Sequence, residues 1–197
     1  SWLEALRLHL VRSDYEHVEL EGQRVGTRFT SEAWNFRGEL VHHAIAGWHG
    51  ALGLEYSQRN FAAVGDEAFI PETVTDKAGL FLLEDFHTGN WTVELGLRLA
   101  HQHIDPVDNT LAARSHKPVS LSASGLWSLS DTDKLSFSVS RSQRAPTVEE
   151  LYSNAAVLAG GTLVEHAATG AVEIGDIDLD LETSTNLEFG WRHAGAV

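Results

Sequence analysis

From residue 119 onward the chain alternates with a period of two. Val119, Leu121, Ala123, Gly125, Trp127 and Leu129 hold one parity, and Ser120, Ser122, Ser124 and Ser128 hold the other. After Ser130-Asp131-Thr132-Asp133 the pattern resumes, with Leu135, Phe137 and Val139 interleaved by Ser136, Ser138 and Ser140. Successive side chains on a strand point to opposite faces, so these segments form sheet with one oily and one wet side. The same signal recurs along the chain. Leu6, Leu8 and Leu10 oppose Arg7 and His9, and Trp34, Phe36, Gly38 and Leu40 oppose Asn35, Arg37 and Glu39. Trp48, Gly50, Leu52, Leu54 and Tyr56 oppose His49, Glu55 and Ser57. Trp91, Val93, Leu95, Leu97 and Leu99 oppose Thr92, Glu94, Gly96 and Arg98, and Leu187, Phe189 and Trp191 oppose Asn186, Glu188 and Arg192.

About eight strands are expected on this basis. The first covers roughly residues 2–20. The fourth, roughly 75–86, has open parity because Leu80, Phe81, Leu82 and Leu83 run together. Short connections fall at 21–24, 43–47 and Thr88-Gly89-Asn90, and longer ones at 58–74, 105–117 and 144–182. Alternating strands of about ten residues, with short turns at one end and long loops at the other, are the pattern of an antiparallel transmembrane β-barrel. All four prolines (Pro71, Pro106, Pro118 and Pro146) fall in the long connections or at their edges, as residues without an N–H for the ladder should. Of the six tryptophans, Trp2, Trp48, Trp91, Trp127 and Trp191 share the oily parity and lie near one rim. Indole rings favour the bilayer interface, so they predict an aromatic girdle at the short-turn end.

Composition narrows the picture further. The 197 residues carry a formal charge of −14, which argues against a nucleic-acid partner. There is no Cys, so neither a disulfide nor a thiolate metal site is available. There is no Met either, and the chain is expected to be an internal portion of a longer protein. No apolar run approaches the roughly 20 residues of a membrane helix, which leaves strands as the means of crossing.

The last long connection carries a resemblance. It reads Arg144-Ala145-Pro146-Thr147-Val148-Glu149-Glu150-Leu151-Tyr152-Ser153-Asn154, and the final strand is entered through Glu182-Thr183-Ser184-Thr185-Asn186-Leu187-Glu188. This pair of motifs resembles the barrel of TonB-dependent outer-membrane receptors, in particular the branch associated with zinc and, in some members, haem uptake. A weaker likeness extends over the whole chain, including Phe61 to Phe69. The resemblance implies a barrel of about 22 strands occluded by a plug. On that expectation residues 1–197 are part of the barrel domain, with the plug domain and the C-terminal strands outside them. It also implies bacterial outer-membrane localisation, surrounding lipid, energy from the TonB complex through a missing N-terminal segment, and a metal or metal-chelate cargo. A segment between Asn154 and His166 is additional to the family's pattern.

Eleven histidines raise the question of metal binding, because zinc takes imidazole with carboxylate support. His101 and His103, two apart on a strand, share a face, with Asp105, Asp108 and His116 nearby. They continue the parity of Leu97 and Leu99, which aims them outward as a polar collar above the lipid band. His166, with Glu165, Glu173, Asp176 and Asp178 close in sequence, occupies the place where the zinc branch has a His, and the resemblance makes His166, Glu173 and Asp176 the better candidates. His49 is expected to take an internal hydrogen bond, and His42 and His43, beside a short turn, are expected to be exposed. Glu149 and Glu150 fit the first turn of a helix after Pro146 and Thr147. No nucleophile-and-base arrangement is legible, so the chain is expected not to be an enzyme and to need no resident cofactor; zinc or haem would be transported. The expected function is TonB-energised uptake of a scarce metal species. The alternatives are a passive pore or small structural barrel, and a soluble β-sandwich binding module with its Trp residues buried between sheets.

Overall fold

A computed structural model describes residues 2–65, 68–155, 157, 161–165 and 170–195. The strands are β1 (Leu3–Glu21), β2 (Arg24–Ile45), β3 (Trp48–Gly65), β4 (Thr73–Thr88), β5 (Trp91–Pro106), β6 (Arg114–His116), β7 (Val119–Ser128), β8 (Asp133–Arg144) and β9 (Glu182–His193), with one short helix, α1 (Val148–Tyr152), between β8 and β9. All belong to one antiparallel sheet in the order β1-β2-β3-β4-β5-β7-β8-β9, and the short β6 pairs with β5. Apart from that insert, every strand pairs with its neighbours in sequence, the meander of a barrel wall.

Cross-strand partners put their side chains on the same face, so the register converts alternation into rows. Leu6, Leu40, Leu52, Leu82, Leu97 and Leu121 are successive partners across six strands. The next row runs Leu8, Gly38, Leu54, Leu80, Leu99, Val119. Along this face Leu8, Leu52, Leu80 and Leu121 are each at least half exposed, and Leu187 is 83% exposed. No second sheet covers these rows among the described residues, so the soluble-sandwich alternative is set aside. A contiguous apolar face of this extent suits acyl chains and not water. On β5 the band spans Trp91 to His101, about ten residues, or roughly 25 Å for a strand tilted near 40°.

The tryptophans gather as the pattern predicts. Trp91 stacks on Trp127 at 4.9 Å, Trp127 pairs through Leu135 to Trp191, and Trp48 lies 5.2 Å from Phe86. The carbonyl of Trp2 accepts a hydrogen bond from the N–H of His43 beside the β2–β3 turn. That turn is Ala46-Gly47, both at positive φ (53° and 88°), a two-residue hairpin geometry matched to strand twist. Trp34 is the exception. It sits at the opposite edge of the band under the Arg12 guanidinium, in a row that continues through Gln58, Asp76 and His103.

Three sequence expectations need correction. Residues 58–65 extend β3 instead of opening a loop, and β4 begins at Thr73. Beyond the apolar band the alternation fades while backbone pairing with β2 continues. Within the 105–117 connection, Arg114–His116 adds a ninth strand, too short for any periodic signal. His42 is largely covered rather than exposed. Its Nε2 lies 3.0 Å from Glu84 across Gly50, where a Cβ would stand 2.8 Å from Glu84 Oε2.

Candidate functional site

The buried core is not at mid-sheet. It lies at the long-loop end, where Ile104, Val148, Leu151, Tyr152 and Ala155 pack with Phe69 and Ile70. Its centre is α1. Thr147 caps the helix: its Oγ1 accepts from the Glu150 N–H, and the Glu150 carboxylate accepts from the Thr147 N–H at 2.7 Å, a reciprocal capping box. Arg144, at the end of β8, donates from Nη1 and Nη2 to the two Glu150 oxygens at 2.7 and 2.8 Å, and from Nε to Glu182 at the start of β9 at 2.8 Å. Leu151 and Tyr152 are fully buried, and the Tyr152 hydroxyl donates to the Ala112 carbonyl at 2.9 Å. Asn154, at φ 52°, donates to the carbonyls of Val164 and Glu173, while its side-chain oxygen accepts from the Val164 N–H. Gly175 passes so close to α1 that a Cβ would stand 2.6 Å from the Leu151 carbonyl carbon. Gln102 of β5 donates to the Pro146 carbonyl. The Arg-Ala-Pro-x-x-x-Glu-Leu-Tyr run is therefore a structural hub that fastens three loops and two strands together.

Arg144, followed by the Thr147 N–H, holds the Glu150 carboxyl down to about 2. A group depressed in the folded state adds stability above its ordinary range and withdraws it as pH falls from about 4.5 towards 2. Acidification through that window should loosen α1. Exchange of the Leu151 and Ser153 amides, corrected for intrinsic rates, should rise there in the native protein, and Arg144→Ala should reduce the pH dependence to the part that the Thr147 N–H sustains. Unchanged protection across the window would refute the staple.

The inner face divides into two halves. On β2 to β5, Arg37 bonds Glu39 at 2.7 Å and reaches Glu55, which also pairs with Arg98. Arg37 lies 4.3 Å above the Phe81 ring, and that ring fills the space left by Gly53. On β7 to β9 the same face carries Ser122, Ser140 and Asn186 in one row and Ser124, Ser138 and Glu188 in the next. Ser124 donates to Glu94 at 3.0 Å. Beneath α1 the wall is concave: residues from β1 to β5, Pro118 and the end of β8 line a cleft of about 770 Å³.

A family model described as TonB dependent receptor-like, beta-barrel matches residues 7–196. The chain belongs to the TonB-dependent receptor family. Its sheet is accordingly a stretch of receptor barrel wall, and the family is one of outer-membrane transport proteins, not of enzymes.

The receptor wall places the candidate ligands apart. His101 and His103 point outward, and His103 Nδ1 pairs with Ser115 Oγ at 2.8 Å. His116 pairs in register with Gln102, so it faces inward; it is buried with Nε2 3.1 Å from the Leu179 carbonyl. His116 is thus separated from the other two by the sheet itself. Glu173 and Asp176 sit on the segment held against α1, through the Glu173 carbonyl to Asn154 and the Asp176 N–H to the Glu150 carbonyl. His166 lies outside the described residues. Among the described residues no three His, Asp or Glu side chains converge in a metal-holding group. His49 takes the internal bonds expected of it, to Asp85 and Glu4, both at 3.1 Å. The sequence reading put Arg37 and Arg98 on the wet face but missed the Arg144 bridge to Glu182 and the cleft cations Arg59 and Lys77. Parity could have put Arg59 on the inner face had strand three been traced to its full length, and Lys77 had the run Leu80 to Leu83 not left the parity of strand four open.

Proposed function

We propose that this chain is part of the wall and outer mouth of a bacterial outer-membrane receptor that imports a scarce metal species, zinc or a metal chelate such as haem. In this reading lipid meets the leucine rows, a plug domain of the full protein occupies the lumen, and the TonB complex supplies energy through that plug. The observation that supports it most is the hub. It anchors the acidic segment bearing Glu173 and Asp176 at the mouth, directly above a lumenal cleft, where captured cargo would pass. Carboxylates there raise local cation concentration, and imidazole from His166 would complete a zinc-type donor set.

Deleting the gene should impair growth on zinc- or haem-limited medium, and the intact gene should restore it only in cells with a working TonB complex. His166→Ala should weaken zinc binding to the full-length receptor about tenfold or more, the scale of losing a ligand or its close support. Normal growth of the deletion strain under both limitations would exclude this cargo. Constitutive conductance of the purified receptor in planar bilayers would favour the passive-pore alternative instead.

A further inference from the structure

Although acidic residues outnumber basic ones 28 to 14, five of the cations line the one cleft beneath α1: Arg37, Arg59, Lys77, Arg98 and Arg144. Three are matched by carboxylates, Arg37 and Arg98 by Glu55 and Arg144 by Glu150. Arg59 instead donates to the Ser31 hydroxyl at 3.0 Å and lies over the Phe61 ring, with no carboxylate in bonding range among the described residues. Lys77 likewise has no carboxylate partner among the described residues. Arg59 pairs in register with Thr75, and Lys77 with Ser57. The two cations are therefore diagonal neighbours on the inner face, about 7–8 Å apart at the backbone. Like charges held side by side on a wall lower the free energy of an anion placed between them.

Glu149, on the first turn of α1, lines the same cleft, and among the charges that act on Lys77 those of Arg59 and Arg98 come first and that of Glu149 after them. Its neighbour Glu150 is committed to Arg144, whereas Glu149 makes no ion pair among the described residues. The adjacent glutamates thus have separate assignments: one fastens the helix and the other lines the cleft that holds two cations unmatched among the described residues.

We infer that Arg59 and Lys77 form a subsite for a carboxylate or similar oxyanion of a soluble anionic ligand, and that Glu149 is the resident competitor such a ligand displaces. The subsite deepens the proposed uptake role and rests on it for the identity of the lumen. It means that cargo passes this level as an anionic chelate, since a bare divalent cation would be repelled here. Arg59 and Lys77 act by charge and position, and Glu149 sets the threshold of entry.

The test uses the full-length receptor in detergent, titrated calorimetrically with citrate at low ionic strength. Citrate should bind, and the double variant Arg59→Gln/Lys77→Gln should weaken it about tenfold or more. Lys77→Arg should preserve binding, and Glu149→Gln should tighten it about threefold. That opposite sign is not produced by a general loss of structure. Lys77→Arg and the loop variant Glu149→Gln also keep the test decisive should the double variant fail to fold. Absence of citrate binding, indifference to the double substitution, or weaker binding in Glu149→Gln would each overturn the subsite. The growth assays are independent of this outcome: citrate binding with the variant pattern above, in a receptor that supports no growth on zinc or haem, would remove the cargo and leave the subsite.

Discussion

Tyr152→Ala should unfasten the outer loops while leaving the strand wall intact. Tyr152 is completely buried at the centre of the hub, and its hydroxyl holds the Ala112 carbonyl of the β5–β6 connection. Removing a buried aromatic ring costs about 3–5 kcal/mol, because surrounding atoms close the void only in part. That loss falls on the loops, since the packed cluster of buried side chains among the described residues centres on the hub and meets the sheet through Ile104. Tyr152→Phe keeps the ring and forfeits one hydrogen bond, at a cost of about 1 kcal/mol. Proteases added to intact cells should cut the 144–182 connection much faster in the alanine variant and only slightly faster in the phenylalanine variant. Equal resistance of all three proteins would show that the hub is not what orders these loops.

The second large effect concerns the outer face. Leu97 lies in the middle of the leucine row, with Leu82 and Leu121 beside it on the neighbouring strands. An arginine there would present a guanidinium to acyl chains, at about 2–4 kcal/mol near the bilayer midplane. Ser138 lies on the opposite face, between Ser124 and Glu188, where a new cation meets water and a carboxylate. Refolding of the full-length receptor into lipid vesicles should therefore fail or lose stability for Leu97→Arg and proceed nearly unchanged for Ser138→Arg. Similar behaviour of the two would mean that the assignment of faces is wrong.

What the sequence made legible follows from where the wall has one apolar face and one polar face. A bilayer imposes a strict two-sided code, so Trp91 to Leu99 and Val119 to Leu129 declare their faces without help. Past the collar at Trp34 and Asp76 the code lapses, and the upper reaches of β3 and β4 read as loop although they are paired strand. The capping of α1 was readable because Thr147 and Glu150 are three residues apart and satisfy each other locally. The Arg144 link to Glu182 was not, since its partners are separated by the whole loop and only folding brings them together. The histidines show the same limit: parity correctly sent His101 and His103 outward, but only the register of β6 against β5 put His116 on the other side.

The unexpected length of β1, β2 and β3 also shapes the mouth. These strands stay hydrogen-bonded well above the collar, and β1 runs another nine residues from Ser13 to Glu21, about 20 Å at the tilt of such walls. On this flank the receptor rises from the membrane as a stiff parapet. A solute approaching from that side meets a fence of paired backbone and must come in from above.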